Sequence, residues 1–199
     1  MSYSFFAAIS RMKYIERWAL MRSARPENLC EHSMEVAMIA HALCTIGNVR
    51  YGKNLDADRA AVIGLFHDAP EIITGDMPTP VKYYDREISS AYKHVENYAK
   101  TRLLGQLPAD LQAVYGAVFA DESEDENERY MLRLVKAADK LSALIKCIEE
   151  EKAGNTEFHT ARETTKEKIT RMCEGLPELG DYVREFLPAY GRTLDELMQ

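Results

Sequence analysis

No apolar stretch among the 199 residues approaches the roughly 20 that a membrane-spanning helix needs. The opening segment Met1–Ser10 carries a short greasy patch, yet no basic flank precedes it and no convincing cleavage site follows. A secretory signal is therefore not expected. Positive charge is in the minority, with 25 Lys and Arg against 32 Asp and Glu and a formal net charge of −7. That balance argues against a broad basic face for a nucleic-acid polymer. A small anionic ligand is still accommodated, because one metal ion or one arginine brings its own positive charge. Cysteine is scarce, and Cys30, Cys44, Cys147 and Cys173 form no C-x-x-C pair and no metal-like spacing. They are expected as reduced thiols of a cytoplasmic protein, with Cys44 and Cys147 buried in apolar helical patterns. Alternating β-branched runs longer than a few residues are also missing, so strands are not expected. Neither an internal repeat nor a linker rich in Gly, Ser or Pro divides the chain.

What is present is helical periodicity. Apolar residues make up 46 % and charged residues 29 % of a 22.7 kDa chain, enough for a sizeable core. A first amphipathic helix is predicted over 3–15, then a loop holding Arg17-Trp18 and ending near Pro26. Asn28 followed by Glu31 reads as a capping box. It opens a helix carrying His32, Val36, Ile39 and Leu43 on one stripe to about Gly47, before a polar turn at 48–55. The next helix starts near Asp56, carries Ala60, Ile63, Gly64 and His67, and is ended or kinked by Pro70. Thr74–Pro80 holds two prolines and a glycine and is read as irregular. Helices are predicted over about 85–104, 108–119, 126–152, 156–174 and 178–187, with a short piece after Gly191. The acidic run Asp121–Glu128 is read as a solvated loop and an acidic first turn. The fold class is all-α, a single domain over 1–199, with a motif core at about 17–152 and C-terminal helices at 156–198 packed on it.

The chemistry-bearing signal lies in five histidines and their neighbours. His67-Asp68 alone is a common polar helix end. His32, however, shares the inward stripe of its helix, and Asp139 lies with Leu132, Val135 and Ser142 in an otherwise apolar helix. A buried ionised aspartate is expensive unless it is paired or bound to a metal. Two imidazoles and two carboxylates from three helices form a ligand set for a divalent cation, and the lack of a thiolate speaks against a structural zinc knot. His41, His94 and His159 are read as structural or solvent-facing.

The pattern H…HD…D, here His32, His67-Asp68 and Asp139, resembles the HD superfamily of metal-dependent phosphohydrolases. Arg17-Trp18, Glu31–Ala37, His67–Glu71, Thr74–Lys82 and Val135–Lys140 extend the resemblance, over about residues 3–195, to the bacterial 5′-deoxynucleotidase group of YfbR type. Pro70 stands where a serine is also found in that group. The resemblance implies one divalent transition metal, cobalt serving best in vitro with manganese or another as alternatives, held by His32, His67, Asp68 and Asp139. It implies hydrolysis of deoxyribonucleoside 5′-monophosphates by metal-activated water, with Arg17, Glu71 and Asp76 in catalytic roles. The roles of Glu71 and Asp76, as base or acid, are left open. If the helix persists through Pro70, Glu71 lies on the face of His67. Substrate contacts are implied for Arg17, Trp18, His32, Asp68, Asp76, Met77, Pro78, Thr79 and Asp139. Arg17 is the expected phosphate clamp, and Trp18 is the wall against a ribose 2′-hydroxyl, a discrimination of roughly 1–3 kcal/mol. A homodimer is implied as well, and neither a membrane nor a nucleic-acid polymer is an expected partner. The alternative within enzymes is an HD-type phosphodiesterase or nucleoside triphosphate hydrolase. It calls for positive charge beyond Arg17 and Lys82. A metal-free regulator or scaffold on the same fold is the alternative of another class.

Overall fold

A computed structural model describes residues 2–82 and 84–199, apart from the Thr79 side chain. Helices dominate: α1 (Phe5–Ile9), α2 (Leu29–Tyr51), α3 (Ala57–Phe66), α4 (Glu71–Thr74), α5 (Thr79–Lys82) and α6 (Arg86–Leu104) come first. They are followed by α7 (Ala109–Val118), α8 (Glu126–Lys152), α9 (His159–Cys173), α10 (Pro177–Glu185) and α11 (Leu194–Leu197). Three 3-10 turns, Ser10–Tyr14, Thr156–Phe158 and Leu187–Ala189, extend α1, precede α9 and follow α10.

The predicted helix starts are set by caps. Asn28 Oδ1 accepts from the amides of Cys30 and Glu31, and the Glu31 carboxylate accepts from the Asn28 amide, which closes the capping box. Asp56, Asp85 and Asp125 cap α3, α6 and α8, each carboxylate accepting from one amide, of Arg59, Ile88 and Glu128. Three predicted elements differ. The first, read as one helix over 3–15, is α-helical only over Phe5–Ile9 and goes on as a 3-10 turn over Ser10–Tyr14. α2 continues past Gly47 to Tyr51 and ends at Gly52, whose φ of +63° is the left-handed turn glycine adopts without penalty. The tail therefore takes up four residues of the expected polar turn. At Pro70 the chain turns rather than kinks: α3 ends at Phe66, residues 67–70 form a turn, and α4 begins at Glu71. The segment 75–78 is irregular as predicted, but Thr79–Lys82 closes one helical turn.

The core has two parts. The larger joins α2, α3, α8, α9 and α10 through Val36, Leu43, Ala60, Leu134, Leu141 and Ile169, among others. The smaller is aromatic, with Phe5 against Phe66, Tyr115 and Phe119. Cys44 and Cys147 are fully buried, as expected. α2 and α3 touch most closely at Gly64, where a Cβ would stand 2.9 Å from the Ala37 Cα. Only glycine lets the backbones approach so far, and this brings His67 beside His32, with ring centroids 5.2 Å apart.

One small sheet departs from the all-helical expectation. β1 (Glu16–Arg17) pairs antiparallel with β2 (Glu27–Asn28), in the register Glu16 to Asn28 and Arg17 to Glu27. Two residues per strand give no period-2 pattern to read. The pairing nonetheless folds the 18–26 loop back and fixes Arg17-Trp18 against the start of α2.

Candidate metal and phosphoester site

α2, the turn after α3, and α8 bring His32, His67, Asp68 and Asp139 to one point. His32 is fully buried, and its Nε2 lies 3.4 Å from both Asp68 Oδ2 and Asp139 Oδ1. His67 Nε2 lies 3.1 Å from Asp68 Oδ2. One ligand atom each of His32, His67 and Asp68 falls within 4.8 Å of the others. Asp139 stands outside that group of three and meets it through Oδ1 at His32 Nε2, while its Oδ2 accepts from Lys140 at 2.8 Å. Both Nε2 atoms are buried without a hydrogen-bond partner, whereas both Nδ1 atoms are engaged, with Ser142 Oγ at 2.9 Å and the Gly64 carbonyl at 2.8 Å. Imidazoles held at one nitrogen and aimed with the other at two carboxylates have the form of metal ligands with their outer supports in place.

The electrostatics ask for a cation at the same point. Burial works to depress His67, but Asp68, then Asp139 and the Gly64 carbonyl, outweigh it and raise the ring to about 9. Burial likewise opposes ionisation of Asp68, yet His67 and His32 hold its carboxyl well below the usual range. Asp139 is also held well below it, with burial overcome by Lys140, His32 and His67. The residues present fit a divalent ion.

The other predicted residues surround this ring. Glu71 is buried at the first position of α4, with Oε2 unpartnered, so the turn at Pro70 places it at the site without a continuous helix. Burial, together with Asp68 and Asp76, pushes its carboxyl up to about 9 against the pull of Lys82 and Arg17. Asp76 Oδ2 accepts from the Trp18 amide at 3.3 Å. Burial raises its pKa, opposed by Arg17 and that amide. Met77 and Pro78 are half-buried in the irregular segment beside it. The Thr79 side chain, also a predicted substrate contact, lies outside the described residues. Arg17 is not a free surface arginine: its Nη1 donates to Glu27 Oε2 at 2.5 Å. Burial works to lower its pKa, but Glu27, then Asp139, Asp68 and Asp76, raise it further. Trp18 donates its indole N–H to the same Glu27 oxygen at 3.2 Å and packs edge-on to Phe158 at 5.3 Å. As expected, His94 and His159 are exposed; His41, read as structural, is exposed as well.

Sequence reading missed Glu27, Glu35 and Ser142. Glu27 was visible only as the residue before a cap, and no spacing rule links it to Arg17. Lys100 and Lys136 were also missed. With Lys82 they line a cleft of about 220 Å³ that reaches His67 and Asp68. Two of the three lysines face carboxylates, Lys82 with Glu96 at 2.7 Å and Lys100 with Asp121.

An all-α bundle that gathers His, His-Asp and Asp from three places in the chain defines an HD-type metal-dependent phosphohydrolase. The fold agrees with solved structures. An HD-domain phosphohydrolase from Listeria innocua superposes with a TM-score of 0.79 at 22 % identity, covering 98 % of this chain and 89 % of that one. The HD phosphohydrolase DatZ of cyanophage S-2L, solved bound to dA and one catalytic Zn2+, superposes at 0.65 with 18 % identity, covering 96 % and 98 %. Within that class the chain belongs to the YfbR-like 5′-deoxynucleotidase family, whose model matches residues 4–190. A 5′-deoxynucleotidase of Erwinia tasmaniensis is 42 % identical over 195 residues, 98 % of this chain and 96 % of the relative.

Proposed function

We propose that this chain is a metal-dependent 5′-deoxynucleotidase that hydrolyses deoxyribonucleoside 5′-monophosphates to deoxyribonucleosides and phosphate. The observation that carries the reading is the convergence of two unpartnered, buried Nε2 atoms on the carboxylates of Asp68 and Asp139. His32, His67, Asp68 and Asp139 would hold the ion. When bound, it supplies Lewis acidity to a phosphoryl oxygen and lowers the pKa of a water.

The chain's own residues do the rest. Arg17, anchored by Glu27, presents its remaining N–H groups to the phosphate and offsets charge that develops as the P–O bond breaks. Glu71, buried beside Asp68 and Asp76, keeps its proton more readily than an ordinary carboxyl. It is assigned as donor to the leaving nucleoside oxygen. Asp76, fixed by the Trp18 amide, orients the attacking water. Trp18, with Asp76, Met77, Pro78 and Thr79, forms the sugar side of the site, where a 2′-hydroxyl finds neither room nor partner. With Lys82 and Lys100 paired to carboxylates, two of the three cleft lysines are already neutralised, which favours the monoester over the diester and triphosphate alternatives. We assign cobalt as the ion serving best in vitro, a homodimer as the working form and the cytoplasm as the compartment. Among the described residues no helix is long and apolar enough to cross a membrane.

The test is phosphate release from deoxyadenosine and adenosine 5′-monophosphates by chelator-treated protein given cobalt, manganese or magnesium. Release that requires a metal and favours the deoxy substrate is expected. Equal release from both removes the sugar selection, and no release with any metal overturns the assignment.

A further inference from the structure

Behind His32 a chain of hydrogen bonds runs away from the site. His32 Nδ1 lies 2.9 Å from Ser142 Oγ, and that hydroxyl donates to Glu35 Oε2 at 2.6 Å. Ser142 is fully buried on α8, and Glu35 is half-buried on α2, one turn after His32. The two ligand histidines therefore have different supports. For His67 the partner is the Gly64 carbonyl, which can only accept, so Nδ1 carries a proton and Nε2 is the nitrogen left to face an ion. For His32 the partner is a hydroxyl, which can donate or accept, and Ser142 alone leaves the tautomer undetermined. Glu35 resolves it as the acceptor of that hydroxyl. The carboxylate takes the single Ser142 proton, leaving only oxygen lone pairs to face His32. Nδ1 must then carry a proton, which leaves Nε2 as the nitrogen to meet an ion beside Asp68 and Asp139.

We propose that Glu35, acting through Ser142, is a positioning residue that sets the tautomer and the aim of His32 for metal binding. The inference rests on the metal-site reading above and deepens it. Nothing in the sequence marks the pair: 107 positions separate Glu35 from Ser142, and neither belongs to the H…HD…D pattern. Outer-sphere supports of this kind typically change metal affinity by roughly 10- to 100-fold when removed. Glu35→Gln keeps an acceptor oxygen for the Ser142 hydroxyl, whereas Glu35→Ala removes it.

The experiment measures zinc dissociation constants of the full chain by competition with a chromophoric chelator. It compares the wild type, Ser142→Ala, Glu35→Ala, Glu35→Gln and the double Ser142→Ala/Glu35→Ala variant. Each alanine variant is expected to weaken binding roughly 10- to 100-fold, the double variant no more than the weaker single, and Glu35→Gln to stay near wild type. Proton–nitrogen correlation spectra of the zinc-loaded protein add a readout that simple loss of stability does not move: the proton on His32 Nδ1 in the wild type and in Glu35→Gln. Should the buried Ser142→Ala variant fail to fold, the Glu35 pair carries the test by itself. Unchanged affinity in Glu35→Ala, or a His32 Nδ1 without a proton in the zinc-loaded wild type, overturns the relay while leaving the metal site intact. A wild type that binds no zinc, cobalt or manganese overturns the underlying reading, and the relay with it.

Discussion

Trp18 has a φ of +60°, a left-handed backbone that costs a non-glycine residue about 1–2 kcal/mol. Its surroundings hold it there: the amide bonds Asp76, the carbonyl accepts from Met21 at 2.8 Å, and the indole bonds Glu27. Strain of this sort persists where the neighbours over-determine it, commonly at functional sites. Trp18→Leu keeps bulk but loses the indole donor and the flat wall. The ratio of kcat/KM for deoxyadenosine over adenosine 5′-monophosphate is expected to fall by roughly 10-fold or more, the scale of a one-group steric discrimination. Glu27 holds Arg17 and Trp18 with a single oxygen. A hydrogen bond to a charged group is worth about 1.5–3 kcal/mol, so steady-state kinetics of Glu27→Ala should show kcat/KM down by roughly 10- to 100-fold. Arg17→Lys should not restore what Arg17→Ala removes, because the ammonium lacks the planar fork. Arg17 and Trp18 were legible as residues of interest in the sequence. Glu27 was not, because it meets them only across the β1–β2 pairing.

Among the elements, the α2–α3 contact decides where His67 stands. A methyl at position 64 would press on the Ala37 backbone, which cannot move aside as a flexible side chain could. Gly64→Ala is therefore expected to destabilise by about 1–3 kcal/mol, a fall in Tm of roughly 2–4 °C per kcal/mol for a chain of this size. Metal affinity should fall with it, since the Gly64 carbonyl is also the support of His67. The C-terminal end of α8 plays a similar part for the 18–26 loop. Glu150 is buried and accepts from the Ala24 and Arg25 amides, from Asn155 Nδ2 and from Lys146. Burial works against its ionisation, but Lys146 and these donors lower its pKa from 4.5 to about 2. A depressed carboxylate stabilises the fold above its unfolded pKa and loses that contribution as pH falls. Urea unfolding of the wild type should therefore weaken between about pH 4.5 and 2 more steeply than that of Glu150→Gln. An equal slope for both would remove Glu150 as the cause.

At the scale of the whole molecule, one continuous core joins α2 and α3 to α8, α9 and α10. We expect thermal unfolding in one cooperative transition, as a single domain over 1–199 requires. Calorimetry tests this, and two separated transitions would divide the chain. An ion pair ties α10 to the rest: Glu178 is fully buried, with the half-buried Lys53 Nζ at 2.7 Å and the Tyr130 hydroxyl at 2.9 Å. Glu178→Ala strands Lys53 and should cost about 3–5 kcal/mol by denaturant titration. The sequence by itself determined the all-α class and most helix starts, and it singled out the four residues proposed as ligands. Helix periodicity and caps are local, and an inward aspartate on an apolar helix is conspicuous for what it would cost unpaired. It also limited partners, since a net charge of −7 disfavours nucleic-acid polymers. The tertiary structure decided everything that depends on residues far apart in the chain meeting in space. It ended α3 at Phe66, ahead of Pro70, and delivered Glu71 from a turn and α4 rather than from a helix running on from His67. It paired Arg17 with Glu27 across two short strands, ran Ser142 from His32 to Glu35, and set Lys100 and Lys136 beside His67. A helical pattern fixes which face a side chain occupies. Only the packing of one helix on another fixes which atom it meets there.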